Sequence, residues 1–351
     1  MTTLSSDPIS ASGAHLRPRA TMREVAALAG VSLKTVSRVV NREAGVSGDL
    51  VAKVEQAAAE LDYRPNLTAS NLRRLDHRTS TVGLLVEDVA NEFFSAIHRG
   101  VEEVARVRGV AVVAASLDRD PERERDLVGA LAARRVDGLI IAPTSPDQGY
   151  LESEMRSGWP IVVVDREARG IDIDTVLTDN REASSRAVSH LIDHGHTRIA
   201  FIGGLDHLTT EQLRYAGYVD ALTNAGIDIT SSLVRHGVAD ADQATRIAGE
   251  LMDAESAPTA IFSAQNLITM GSVRALRARS MQQRVALVGF DDFAMADLVD
   301  PAITVMAQDA RAMGRKAAEL LFARMESFDE PCERHVLTSH LIQRGSGEIT
   351  P

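Results

Sequence analysis

A chain of 351 residues, 44% of them hydrophobic and only 4% aromatic, is long enough for two or three domains of ordinary globular type. No apolar run approaches the ~20 residues of a membrane span, and a single cysteine, Cys332, excludes an internal disulfide and fits a reducing cytoplasm. The net charge of -11 hides an asymmetry, because residues 1–80 carry 11 Lys/Arg against 8 Asp/Glu while the rest carries 27 against 41; an acidic body repels nucleic acid and confines any such binding to the basic end.

Residues 1–19 lack the apolar core of a signal peptide, so neither export nor membrane insertion is expected. They read as a disordered tail, with Arg17 and Arg19 as phosphate contacts. A helical head is predicted over residues 20–64. Thr21 and Glu24 form a T-x-x-E capping box, Val25, Ala26 and Ala29 line one face of a short helix, and Gly30 ends it. Ser32 caps a second helix through Asn41, in which Val36, Val39 and Val40 face inward while Leu33, Lys34, Ser37, Arg38 and Asn41 line the other side. Ser47 caps a third, whose Val51, Val54, Ala58 and Leu61 close a small core before Tyr63 and Pro65. This is a helix-turn-helix pattern, whose second helix enters the major groove of double-stranded DNA; Leu33, Lys34 and Arg38 are the candidate base readers, and Arg38 has the fork for a guanine. Thr21, Ser32, Thr35, Ser37 and Asn41 complete the DNA-contacting set.

The string Val25-Ala26 through Gly30-Val31-Ser32 to Thr35-Val36-Ser37-Arg38-Val39-Val40-Asn41 resembles the lactose-repressor (LacI/GalR) family of bacterial regulators. The resemblance implies that residues 65–79 are a hinge helix and linker, in which Asn66 contacts DNA, Ala69 permits two such helices to approach, and Leu72 wedges into the minor groove at the operator centre. A helix so far below the ~12–15 residues of marginal isolated stability would fold only on DNA, against its symmetry mate.

From residue 80 the pattern changes to short strands alternating with amphipathic helices. Strands are predicted at Thr81–Val86, Val110–Ser116, Gly138–Ala142, Ile161–Asp165, Ile199–Gly203, Ala260–Ser263 and Val285–Phe290, with a return segment at Ile303–Asp309. The fold class is therefore an N-terminal all-α head followed by an α/β sensor of two wound parallel-sheet lobes over residues 80–346, with 347–351 as a tail. Ligands of such sheets bind beyond the carboxyl ends of strands, where this chain places Asn91, Phe93, Phe94, Asp165, Arg166, Arg214, Gln265, Asp291 and Gln308. Carboxylates and guanidinium forks bind vicinal hydroxyls, and a phenyl face covers the apolar side of a sugar ring.

Thr178-Asp179-Asn180, Gly195-His196 with Ile199-Ala200, Arg214 with Gly217-Tyr218, Gly289-Phe290-Asp291-Asp292 and Arg344-Gly345-Ser346 extend the resemblance over Thr81 to Ser346, to a sensor similar to periplasmic sugar-binding proteins. It implies a small sugar effector, and Asn91, Phe93, Phe94, Asp165, Arg166, Arg214, Asp291 and Gln308 match ligand positions of ribose-type binders. Gln265-Asn266 replaces the family's common Asn-Asp, and Glu92 stands where a proline is usual, which leaves a related pentose, nucleoside or cyclitol open.

Neither Asp291-Asp292 nor His194-Gly195-His196 has the companions of a metal site, and no cofactor is expected. No G-x-S-x-G, P-loop, H-E-x-x-H or G-x-G-x-x-G motif marks an enzyme. A transport or chemotaxis receptor would use the same sensor fold, but it would require a signal peptide. The chain runs out soon after Ser346, short of any heptad segment for tetramerisation, so a cytoplasmic, nucleoid-associated homodimer on a pseudopalindromic operator is expected.

Overall fold

The computed structural model describes residues 20–40, 45–64, 78–328 and 330–351. The tail to residue 19, Asn41, and the hinge positions Asn66, Ala69 and Leu72 lie outside them. The chain divides into two compact units between Thr79 and Ser80.

In the first unit, α1 (Met22–Ala29) starts at Thr21, whose hydroxyl accepts from the Glu24 amide while the Glu24 carboxylate accepts from the Thr21 amide at 2.6 Å. Gly30, at φ 65°, takes the left-handed conformation that ends the helix at low steric cost. Ser32 Oγ accepts from the Thr35 amide at 3.1 Å and so caps α2 (Leu33–Val40). α3 (Gly48–Glu60) begins after Ser47, but the Ser47 side chain makes no capping hydrogen bond. Val25, Ala26, Val36, Val54 and Ala57 form the buried core, with Ala58, Leu61 and Tyr63 at its edge. Ala57 thus takes the place expected for Val51, which is only half-buried.

The second unit holds two sheets of six strands. The first has the order β11-β5-β4-β3-β1-β2, from β1 (Thr81–Val86), β2 (Ala111–Ser116), β3 (Gly138–Ile141), β4 (Ile161–Val164), β5 (Asp174–Thr178) and β11 (Arg334–Leu337). The second repeats that arrangement as β12-β10-β9-β8-β6-β7, from β6 (Ile199–Ile202), β7 (Val234–Arg235), β8 (Ala260–Ser263), β9 (Ala286–Phe290), β10 (Thr304–Ala307) and β12 (His340–Ile342). All pairings are parallel except β10 with β12. Every predicted strand is found within a residue of its expected ends. The return segment holds β10, and the other four, β5, β7, β11 and β12, carry no predicted strand; β5 opens on Asp174, a buried acid held by Arg324, which breaks the apolar run that would reveal it.

Each sheet is covered on both faces, as parallel sheets require. In the first lobe α4 (Glu92–Val107) and α11 (Ala310–Glu326) pack on Val82, Leu84 and Val86, and α5 (Pro121–Ala133) packs with α6 (Glu152–Arg156) around Leu85, Leu139 and Ile141. In the second, α7 (Asn180–Asp193) and α8 (Thr209–Asn224) cover one face, and α9 (Ala241–Met252) with α10 (Asn266–Ala278) the other. The chain passes between the lobes after β5, after β10 and between β11 and β12, so both are built from discontinuous segments.

Residues 347–351 are not a tail. Glu348 accepts from Thr304 Oγ1 at 2.8 Å and pairs with His190 at 2.7 Å, while the Ile349 side chain packs on the second core and its carbonyl meets His196 Nε2. The sequence carries Glu348 as an ordinary polar residue; only the fold brings two partners from other elements to it. His194 bonds the His190 carbonyl at the end of α7, and burial holds the His196 imidazole below its usual value.

Candidate functional site

On α2 the outward residues form a graded surface. Leu33, 45% exposed, and Lys34 project from the first turn; Thr35, Ser37 and Arg38 are half-buried. A leucine this exposed at the start of a helix suits a face presented to another molecule. The hydroxyls of Thr21 and Ser32 are engaged in holding helix starts.

The second unit has a cleft between its lobes, which in this arrangement leaves about 40 Å³ of free space. It is lined from the first lobe by Glu87, Asn91, Phe93, Phe94, Arg119, Asp165 and Arg166, and from the second by residues that include Glu211, Arg214, Gln265, Asn266 and Asp291. Eight of the nine residues predicted from sequence meet here. Gln308 stands one step back and donates Nε2 to Asp291 Oδ1 at 2.5 Å.

Each wall is built by strand ends. Asp165 leaves β4 at φ 70° and Asp291 leaves β9 at φ 69°, a left-handed backbone uncommon for any residue with a Cβ and least so for Asp and Asn. That turn aims both carboxylates into the cleft, and such strain tends to persist where surrounding structure over-determines it, often at functional sites. Burial pushes the Asp165 carboxyl up to about 6 against the pull of Arg166 and Arg214, with Asp291 and Glu87 adding to the rise. Burial likewise raises Asp291, opposed by Arg214 and by the hydrogen bond from Gln308.

The guanidiniums are held from behind. Arg214 Nε donates to Asn180 Oδ1 at 2.7 Å, its NH1 donates to the Ala264 carbonyl at 2.6 Å, and the group stacks 3.9 Å from the Phe290 ring centre. Arg166 donates to Glu87 and to the Pro143 carbonyl, and lies 3.5 Å from Asp165. The Asp165-Arg166 pair is therefore a buried element of the cleft and not a surface ion pair. Phe93 and Phe94 meet edge to face at 5.1 Å, and both belong to the first-lobe core as well as the cleft wall.

Three further participants escape sequence reasoning. Glu87, directly after β1, accepts from Arg119 and Arg166; burial raises its carboxyl, but the two guanidiniums outweigh this and hold it below the ordinary value. Its place at a strand end was the available signal. Arg119 also reaches the Ala239 carbonyl of the other lobe, and nothing local announces it. Glu211 sits three residues before Arg214 on α8, hence on the same helix face, which could have marked it.

Side chains also cross the cleft. Asn91 and Asn266 exchange amide hydrogen bonds at 3.2 and 3.0 Å, Glu92 accepts from the Ala294 amide at 2.8 Å, and Arg169 donates to Gln212 at 3.0 Å. Asn91 Oδ1 additionally accepts from the Phe93 amide and caps α4. Asn266 and Glu92, the two departures from the resemblance, thus both tie the lobes together. Among the described residues no helix is long and apolar enough to cross a membrane.

Comparison with known proteins agrees with both units. Residues 21–66 match the model of the bacterial regulatory proteins of the lacI family, and residues 79–345 match that of the periplasmic binding proteins and sugar binding domain of the LacI family. The chain is 33% identical over 330 residues to the ribose operon repressor of Escherichia coli (strain K12), covering 93% of this chain and 99% of that one. Among solved structures it is similar to a complex of the transcriptional regulator CelR with cellobiose (33% identity, TM-score 0.69, 93% of this chain and 100% of the other). It is also similar to the Lac repressor dimer bound to operator and the anti-inducer ONPF (27% identity, TM-score 0.82, 94% and 99%).

Proposed function

Because the chain belongs to the LacI family of bacterial regulatory proteins, we propose that it represses genes of sugar uptake or catabolism and that a ribose-like pentose or related polyol in the interlobe cleft modulates its hold on operator DNA. The observation that carries the reading is the cleft itself: two inward aspartates, two anchored guanidiniums, Gln265 and a phenyl wall converge on it from both lobes. Leu33, Lys34 and Arg38 read base edges, with Thr21, Ser32, Thr35, Ser37, Asn41 and Asn66 as supporting contacts and Ala69 and Leu72 at the operator centre. The relatives named for ribose and cellobiose support a sugar, and the dimeric Lac repressor on its operator supports a homodimer on a pseudopalindrome. A receptor for transport would leave the helix-turn-helix unit without a use.

The mechanism follows from linkage. A ligand that prefers one arrangement of the lobes must compete with or reinforce the Asn91–Asn266, Glu92–Ala294 and Arg119–Ala239 contacts, and a coupling of ~1–3 kcal/mol to the head alters operator occupancy about 5–150-fold. Induction is the expected sign.

Fluorescence anisotropy on DNA upstream of the protein's own gene, with and without D-ribose and related sugars, tests this. Salt-sensitive binding weakened by one sugar is expected; strengthening would make that sugar a corepressor. No specific site in a genome-wide DNA selection would end the regulator reading.

A further inference from the structure

Among the described residues, Glu211 is the cleft carboxylate that no guanidinium or amide side chain meets. Glu211 is only 5% exposed, it lines the cleft, and among the described residues its Oε1 has no hydrogen-bond partner. Glu87 faces Arg119 and Arg166, Asp165 lies beside Arg166, and Asp291 has Arg214 at 3.8 Å with Gln308. Among the described residues the nearest cationic side chain to Glu211 is His236, its Nδ1 3.9 Å away, beyond hydrogen-bonding reach. The backbone beneath is shaped to receive it. A Cβ at Gly203, where the chain leaves β6, would strike Glu211 Oε1 outright, and at Gly204 it would touch Oε2 at 3.5 Å. A buried acceptor left without a donor is costly, so a donor brought in by a ligand gains more here than it would at the surface.

We propose that Glu211 is a specificity-determining residue of the effector site: it accepts a hydrogen bond from a hydroxyl of the ligand and, as the unmatched negative charge of the second-lobe wall, selects uncharged polyols over their phosphate esters. The proposal rests on the effector reading above and deepens it. A neutral polyol supplies the missing donor without bringing charge, whereas a phosphate brings further acceptors and two negative charges to a wall that already holds Glu211 and Asp291. The three guanidiniums do not offset this, because Arg119 and Arg166 bond Glu87 and Arg214 faces Asp291 at 3.8 Å.

The test uses the full-length protein, Glu211→Gln and Glu211→Ala, with D-ribose and D-ribose 5-phosphate as probes in isothermal titration, and melting of each protein without ligand. Removing an unmatched buried charge that serves a ligand stabilises the free protein, so Glu211→Gln is expected to melt about 2 °C or more above wild type; a lower melting temperature in both variants would make Glu211 a structural support and overturn the proposal. With ribose, Glu211→Gln is expected to bind about tenfold or more weakly, and wild type to reject the phosphate ester. Unchanged ribose affinity in both variants, or wild-type binding of the ester as tight as of ribose, would also overturn it. If wild type ignores ribose altogether, the pentose reading fails, while the melting comparison still decides the place of Glu211.

Discussion

In the first lobe the chain leaves β4 through Asp165 and then Arg166; in the second it leaves β9 through Asp291 and then Asp292. Both aspartates share a left-handed backbone, and each amide donates to the neighbouring strand, to Val176 O and to Met306 O. The following residues part company. Arg166 turns into the cleft to Glu87, whereas Asp292 turns away and takes a two-pronged pair with Arg344 at 2.6 and 2.7 Å, which holds its carboxyl below the usual range. A repeated fold thus supplies the same aspartate twice, and the next side chain decides whether the cleft gains a cation or the lobe gains a brace. The second lobe recovers its cation from a helix, through Arg214.

The largest expected effect breaks the first-lobe arrangement. Arg166→Ala leaves Glu87 with one partner and Asp165 with only the pull of Arg214, and breaking such a buried pair costs about 3–5 kcal/mol, read as a lower urea midpoint; a cost below about 1 kcal/mol would mean that Arg119 alone satisfies Glu87. Arg214→Ala removes the second-lobe equivalent and is expected to cost somewhat less, about 2–4 kcal/mol, because Gln308 still donates to Asp291. It should abolish the sugar response while DNA binding persists, since the head is a separate unit; a sugar response of normal size would remove Arg214 from the site.

A pH series sharpens the comparison further. Burial raises the folded Asp165 carboxyl to about 6 from an ordinary 3.8, so the folded chain holds that proton more tightly than the unfolded one. The stability it brings is fully present below the ordinary value and is lost as pH rises through about 6. Asp165→Asn removes that dependence, and should be more stable than wild type by on the order of 2 kcal/mol at pH 7.5, with the gap closing near pH 4; parallel stability curves across that window would refute the assignment. Sugar binding that needs the ionised acceptor should weaken in wild type below about pH 6. The smallest effect is expected at the outward brace, where Asp292→Asn lowers stability by about 0.5–1 kcal/mol, its partly exposed pair being screened, and leaves sugar affinity unchanged. A shift in affinity there would show that the brace sets the angle of Asp291.

Much of this was legible because it is local. The Thr21 box, the Gly30 stop and the short apolar runs of the strand cores are set by neighbours in sequence, and they place the helix-turn-helix face and both sheets. The rule that ligands gather at strand ends then found Asn91, Asp165, Arg166, Gln265 and Asp291 without knowledge of which lobe each would join. What stayed hidden depends on distant partners. β11 is a four-residue strand whose pairing with β5 joins residues some 160 positions apart, and no local pattern encodes such a match. Residues 347–351 read as a tail because Thr304 and His190 reach Glu348 only after all three chain crossings are made.

By itself the sequence determined a basic helical head, two wound sheets and a set of cleft residues, since backbone preference and apolar periodicity act within a few residues. The tertiary structure alone decided which charges are matched. Glu87 finds Arg119 and Arg166, Asn91 finds Asn266, and Glu211 Oε1 finds no donor among the described residues, because hydrogen bonds and buried charges are settled at distances of about 3 Å, between groups that the chain keeps tens of residues apart until it folds.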